Sequence, residues 1–565
     1  MPKQPSRIKT IIQTASGRRE PDLVFKNAQV LNVFTQETIR ADVAVSGDAI
    51  AGVGHYNARN EIDCKNLYLC PGLIDAHCHI ESSMALPAEL SRAVLPSGTT
   101  TLIADPHEIV NVCGARGLQY MLDSAETAVC DIRYMLPSCV PATEFETSGA
   151  VFTAEDMRPF IRHPRVLGLA EMMNFPGVIA GEQTVLDKLK LFENGRIDGH
   201  APGITGRALQ AYLSAGISTD HEATTFKEAT EKARAGLAIL VREGSAAHNL
   251  TAILEGVIKE KLPTRRFMFC TDDKHLDDIR RDGHIVHNVR MAIRLGFSPI
   301  QAVSMATYNT AEQYGLRDRG AIAAGRRADL LLVSDLQSMR IEAVYRGGKA
   351  AADLLSAPSV LPAVPGAIAN SVHIDPVSPD DLRLKVDGKT DVIEMIPSQL
   401  LTNHLREDVP SASGYFTPSA VYAKLCVLER HGKNGNIAVA PLKGYGITGG
   451  AVATSVAHDS HNIITAGDND RDLTLAINHI REIGGGYAVA RGGSITGSLP
   501  LRVAGLMSDE TCEAVENMTQ AILAEAGKLH IANGIEPFVS LSFMALPVIP
   551  TLRLTDKGLI DLFTP

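Results

Sequence analysis

The 565-residue chain contains no tryptophan, and only 5% of it is aromatic, which removes the stacking platforms that single-stranded nucleic acids need. No apolar run approaches the ~20 residues of a membrane span; the best, from Phe538 to Ile549, is short and broken by Ser540, Ser542 and Pro547. The nine cysteines are scattered, odd in number and without a C-x-x-C pair. That is unlike a secreted disulfide framework, so the thiols are expected to be reduced and mostly buried as small hydrophobes. No P-loop and no solenoid repeat occurs, and the Gly484–Gly486 run lacks the strand-to-helix context of a dinucleotide fingerprint. Positive charge is not in excess: 54 Lys and Arg against 64 Asp and Glu leave a net charge of −10, with a pI near 6.0. A general nucleic-acid or anionic-membrane binder is therefore excluded. The opening stretch MPKQPSRIKTIIQTASGRRE is basic but has no apolar core and no small-residue cleavage site, so it reads as an arm and not a secretory signal, and a cytoplasmic protein is expected.

What is present is ordinary globular material, 45% apolar and 21% charged, with a mean hydropathy of +0.03. Three zones follow the arm of residues 1–21. Over 22–70, short β-type runs (DLVFKNAQVLNVF, IRADVAVSGDAIAGVG) alternate with polar turns, and β character returns over 317–374 (AIAAGRRADLLLVSD, IEAVYRGGK), so the two stretches are expected to form one small β domain. Over 71–316, eight candidate strands alternate with helical stretches such as GITGRALQAYLSAG and HNVRMAIRLGF, the size and rhythm of a (β/α)8 barrel. A doubly wound sheet would stop at fewer strands. Residues 375–565 form a separate α+β region, with a helix expected from Asp509 to His530, Ser508 as its cap, and Val515, Met518 and Ile522 on one face.

The informative segment is PGLIDAHCHIESSM. His77 and His79 are two apart at the end of the first barrel strand, so both point to one face, at the end that opens on a barrel's catalytic mouth. Alone, H-x-H is a weak signal. Glu171 ends the fourth candidate strand, His200 the fifth, His221 the sixth and Asp272 the eighth, and six such groups at strand ends point to a divalent metal site. Cys78, between the histidines, should point away as a core thiol. His248, His275, His284 and His287 read mostly as exposed or satisfied helix residues, although His275 could reach the mouth. Lys188 and Lys190 read as solvated charges, and the H-D-S-H at His458 and His461 as a further metal site or a lid.

These residues resemble the amidohydrolase superfamily over roughly Asp22 to Ala351: the H-x-H, the two later histidines, the strand-eight aspartate, the PGLIDAH lead-in, ATYNTAEQYGL and GRRADLLLVSD all match. The resemblance implies a binuclear site, with His77, His79 and Asp272 on one ion, His200 and His221 on the other, and a bridging carboxylate. Many members bridge with a carboxylated lysine; here the position reads Glu171. Dihydroorotase-like members carry H-x-H-x-R, whereas this chain has Glu81 at the arginine's place. An acid there disfavours anionic substrates and accepts hydrogen bonds from a donor-rich neutral heterocycle. The bland alternative is that Glu81 caps the following helix.

With HCHIESSM, ADPHEIVNVCG, GHAPG, STDHE and FCTDD, and GYGITGGAVATSVAHDSHNIITAG beyond the barrel, the chain looks like the bacterial-type adenine deaminase branch. That resemblance implies hydrolysis of adenine to hypoxanthine and ammonia, in purine salvage, by a hydroxide bridging two divalent metal ions, with Asp272 shuttling the proton. Mn²⁺ or Fe²⁺ is favoured, and Zn²⁺ fits the donor set. Attack at C6 also needs a proton on N1, for which Glu222, Glu81 and the His107/Glu108 pair are candidates. Glu81 and His107 are expected at the purine, and Asp105 and His107 as hydrogen-bond partners of the ligands. The alternative on the same barrel is a cyclic amidase or N-acetyl-sugar deacetylase. A homodimer is the default assembly.

Overall fold

The computed structural model describes residues 7–245, 247–397, 399–549 and 551–561. A helix over Arg7–Ala15 buries Thr14, and Arg7 pairs with Asp48 at 2.9 Å. Beyond it, Leu23–Asn32, Glu37–Ser46, Ala49–Gly54 and Tyr68–Pro71 join Leu330–Asp335, Arg340–Arg346 and Lys349–Ala350 in one sheet. The two flanks meet where Leu330 pairs antiparallel with Pro71, so one small sheet is built from both sides of the central domain.

That central domain carries eight strands: β1 (Leu73–Cys78), β2 (Thr99–Ala104), β3 (Asp131–Leu136), β4 (Val166–Met172), β5 (Arg196–Gly199), β6 (Thr219–Asp220), β7 (Ala238–Arg242) and β8 (Phe267–Cys270). β1–β5 form one parallel sheet and β6–β8 a second. Alternate residues separate into two cores, as strands covered on both faces require. Ile74, Ala76, Ile103, Met135, Leu240 and Met268 pack inward, above a plug of Ala311, Tyr314 and Leu316. Leu73, Leu102, Leu169, Val241 and Phe269 pack outward against the helices. The register of β1 slips against β2 between Asp75 and Cys78, so Cys78 joins the outer core.

At the two places where the β ladder thins, a buried aspartate bonds across. Between β1 and β8, the Asp272 N–H donates to the His77 carbonyl (3.0 Å) and the His79 N–H to the Asp272 carbonyl (2.9 Å). There the Thr271 N–H and hydroxyl both donate to the Asp75 carboxylate. Between β5 and β6, Ser218 N–H reaches the Ile197 carbonyl, while the Thr219 and Tyr314 hydroxyls donate to Asp198 at 2.8 and 2.9 Å. Burial pushes both Asp75 and Asp198 up to about 7, against the pull of those hydrogen bonds.

The C-terminal region is an eight-stranded sheet that includes Tyr422–Leu428, Gly450–Thr454 and Ile463–Gly467. Period-2 alternation divides its faces: Cys426 and Leu428 pack under a helix over Asp470–Ile483, whereas Leu425 and Val427 belong to the core shared with the barrel. The expected later helix spans Cys512–Ala526, capped by Thr511, whose side chain accepts from the Ala514 N–H. Ser508 instead lies one turn upstream, receiving the Glu510 N–H. Among the described residues, no helix is long and apolar enough to cross a membrane.

Candidate metal centre and substrate cavity

His77 and His79 leave β1 on the same side because His79 stays extended (φ −101°, ψ 110°). The His79 Nδ1 faces the Asp105 carbonyl at 3.1 Å; a carbonyl only accepts, so Nδ1 carries the proton and Nε2 turns a lone pair toward the centre. Asp105 also takes the His107 Nδ1–H at 3.0 Å, so it orients one imidazole with its backbone and another with its side chain.

The Glu171 carboxylate, 2% exposed, sits between two histidine pairs. Its Oε1 is 3.3 Å from His79 Nε2 and 3.7 Å from His77 Nε2. Its Oε2 is 2.6 Å from His200 Nδ1 and 3.2 Å from His221 Nε2. Asp272 also divides its oxygens: Oδ1 is 3.2 Å from both His77 Nε2 and His79 Nε2, and Oδ2 accepts from Arg242 Nη1 at 2.7 Å. Among the described residues, His77 Nε2 and His221 Nδ1 are buried without a hydrogen-bond partner. Four imidazoles and two carboxylates, all buried except the half-buried His200, with orphaned nitrogens among them, fit a pair of divalent cations. All six predicted ligand residues are brought together.

Glu222 follows β6, which ends at Asp220, so strand alternation no longer turns it away. Its Oε1 lies 3.4 Å from His221 Nε2 and 3.7 Å from His200 Nδ1, and Arg242 donates to both of its oxygens. Burial would raise this carboxyl, but Arg242, His200 and His221 outweigh it and hold it below the ordinary range. Asp272 is likewise driven far down, Arg242 and the β1 histidines overcoming burial. Arg242 is the group that the sequence reasoning missed, although it ends β7 as the other site residues end or follow their strands.

A second missed residue is Lys232, fully buried on a helix over Phe226–Ala235. Its Nζ donates to the Ala201 carbonyl, Asp220 and Glu228, each at 2.8 Å, which ties together the segments carrying His200 and His221. Lys188, expected to be solvated, is instead half-buried and donates to the Ser138 carbonyl at 2.6 Å, because its stem lies against the loop after β3. Lys190 is exposed. His284 is a satisfied core histidine facing Thr99 and Asp75.

A pocket of about 30 Å³ is lined by Glu81, Glu108, Asp273 and His275 from the central domain and by His458, Tyr487 and Phe543 from the C-terminal region. Glu81 is buried; its Oε1 accepts the Ile109 N–H at 3.3 Å, and among the described residues its Oε2 has no partner. It therefore does engage a helix, but the one over His107–Cys113 and not the segment that follows it. Burial, and then the neighbouring Glu108, push Glu81 up to about 7. His107 faces the Glu108 and Glu171 carboxylates at 3.3 and 3.5 Å. The Cys78 Sγ points to the Ile103 carbonyl, and burial raises the thiol far above its ordinary value.

Residues 68–351 match the amidohydrolase family, and residues 399–564 match the adenine deaminase C-terminal domain. Over 557 residues, 98% of this chain and 97% of the relative, the chain is 45% identical to an adenine deaminase from Desulfitobacterium hafniense (strain Y51). It is 48% identical to one from Nitratidesulfovibrio vulgaris (strain DP4) over 98% of this chain and 97% of that one. A third, from Geobacillus kaustophilus (strain HTA426), is 46% identical over 97% of this chain and 96% of its own length.

Proposed function

Since the chain belongs to the adenine deaminase branch of the amidohydrolases, hydrolases acting on C–N bonds, we propose that it deaminates adenine to hypoxanthine and ammonia, in purine salvage. The observation that carries this reading is Glu171, whose two oxygens face separate histidine pairs. His77, His79 and Asp272 would hold one divalent ion and His200 and His221 the other, with Glu171 between them. Mn²⁺ or Fe²⁺ suits this donor set. Such a pair lowers the pKa of bound water toward neutrality and so supplies a nucleophile.

The chain's own groups do the rest. Asp272, already ionised, takes a proton from the attacking water and passes it to the departing ammonia, while Arg242 fixes its second oxygen. Glu81 keeps its proton to about pH 7 and has a free oxygen, which suits it to protonate N1. Glu222, kept ionised by Arg242, fits better as the acceptor that orients the 6-amino group than as the proton donor. His107, pinned by Asp105 beside Glu171, completes the polar wall.

The deciding experiment is ammonia release by chelator-stripped protein reloaded with Mn²⁺, offered adenine beside adenosine, cytosine and dihydroorotate. Turnover of adenine alone, abolished in Asp272→Asn, is the expected result. Silence on adenine with metal bound would sink the substrate assignment.

A further inference from the structure

Glu171 reaches the centre through an irregularity in β4. Against β5 the strand pairs Gly168 with Arg196, Leu169 with Ile197 and then Met172 with Gly199, so β4 advances three residues while β5 advances two. That is a β-bulge, a feature that re-aims a side chain. Leu169 and Met172 pack in the outer core and Ala170 in the inner one. Regular alternation would send Glu171 outward with Leu169, into the helices; the extra residue turns it inward, beside Ala170, to face the histidines. Two hydroxyls hold the bulge. Ser138, after β3, donates to the Glu171 carbonyl. Tyr212, fully buried on the helix over Gly206–Ser214, donates to the Met172 carbonyl at 2.8 Å and accepts the His200 N–H at 2.9 Å. Gly199 keeps room for it: a Cβ there would lie 3.0 Å from the Tyr212 oxygen and 2.4 Å from the Thr219 carbonyl oxygen.

One oxygen therefore joins the residue after Glu171 to the backbone of His200. The side chains on either side of that joint meet at 2.6 Å, Glu171 Oε2 to His200 Nδ1, closer than Glu171 comes to His77, His79 or His221. We propose that Tyr212 is a positioning residue for the ion of His200 and His221: by fixing the end of β4 against His200, it sets the opening between the two side chains that would close on that ion. The inference rests on the two-ion reading above and deepens it. Without the hydroxyl, the His200 N–H and the Met172 carbonyl lose their common partner and the two ligands are free to part. The effect falls on one ion of the pair, because His77, His79 and Asp272 follow from β1 and β8, to which Tyr212 makes no hydrogen bond among the described residues. Groups that orient ligands in this way are typically worth about 10–100-fold in metal affinity.

The test uses the full-length chain, stripped with a chelator and titrated with Mn²⁺, read by electron paramagnetic resonance of free and bound ion and by elemental analysis after desalting. The unaltered chain should keep both ions and develop the signal of a spin-coupled pair. Tyr212→Phe should keep one, with the other bound ~10–100-fold more weakly and the first within ~3-fold of native. Excess Mn²⁺ should restore the coupled signal and, with it, kcat on adenine at an unchanged KM. Tyr134→Phe is the control. It also removes a buried tyrosine hydroxyl, one that donates to the Met121 carbonyl at 3.0 Å on the outer side of β3, and it should lower thermal stability without moving the Mn²⁺ titration. Both ions held at native affinity in Tyr212→Phe, or the same loss in Tyr134→Phe, overturns the proposal. Should Tyr212→Phe not fold, Ser138→Ala, which releases the other side of the bulge, must weaken the same ion, and a native titration there overturns the proposal equally. An unaltered chain that takes up a single ion refutes the two-ion reading and this inference with it. One that takes up both yet releases no ammonia from adenine refutes the substrate assignment alone.

Discussion

Replacing Arg242 by methionine keeps the apolar stem of the side chain and removes its charge, leaving buried Asp272 and half-buried Glu222 without their shared cation. At the 2.7 Å separation from Asp272, two unit charges interact by about 6 kcal/mol in an effective dielectric of 20. Desolvation cancels part of this, and removing one partner of a buried pair costs about 3–5 kcal/mol. The loss has a pH signature. Both carboxyls are held below their ordinary values in the folded chain, so each contributes stability above its unfolded pKa that is lost as pH falls through the folded one. Without Arg242 both folded values rise. The gap between native and variant should therefore be widest near pH 8 and narrow below about pH 5, as the carboxyls protonate. Thermal unfolding of metal-stripped protein across that range is the assay, paired with ammonia release on the reloaded enzyme. Arg242→Met should melt several degrees lower at pH 8, and its acid limb of activity should move to higher pH. A variant that melts with the native chain at pH 8 and keeps its acid limb would refute the argument.

Lys232→Met removes the tie between the His200 and His221 segments. It should cost about 3–5 kcal/mol and lower metal content toward half the native value, read by elemental analysis. Glu81→Gln tests a carboxyl raised from 4.5 to about 7. The native side chain's contribution is fully present below pH 4.5 and lost as pH rises through 7, on the order of 3 kcal/mol, so the variant should melt with a flatter pH dependence from pH 5 to 8. Its deamination rate should fall by about 10²–10⁴-fold if this carboxyl protonates N1. Chelation should lower the melting temperature and Mn²⁺ should restore it, since an ion bound only by the folded state stabilises it by mass action. Thr511→Ala should cost about 1 kcal/mol through loss of the N-cap at Cys512–Ala526.

Strand ends were the most legible part of the sequence. His77 and His79 stand out because alternation sends both to one face, and Glu171, His200, His221 and Asp272 because each closes or follows a short apolar run. Arg242 closes such a run too, but a terminal arginine looks like an ordinary solvated charge until two carboxylates converge on it from other strands. Lys232 was hidden by its context, since TTFKEATEKARAG reads as a polar helix face and only the tertiary structure buries that one ammonium. The pairing of Glu108 with His458 and His461 joins residues 350 and 353 positions apart, a separation at which local pattern carries no information. The slip at Asp75–Cys78 could not be seen either, because alternation within one strand is silent about its register against the next.

A bridge by Glu171, as proposed above, has a consequence for how the centre is put together. A carboxylated lysine is made after folding, by reaction of an amine with dissolved carbon dioxide, and the resulting carbamate falls apart in acid. Glu171 needs no such step: its two oxygens are in place when translation ends, each already facing its own pair of imidazoles. A centre built on it is expected to be emptied and refilled in buffer free of bicarbonate, with no need of the gas that a lysine bridge must capture.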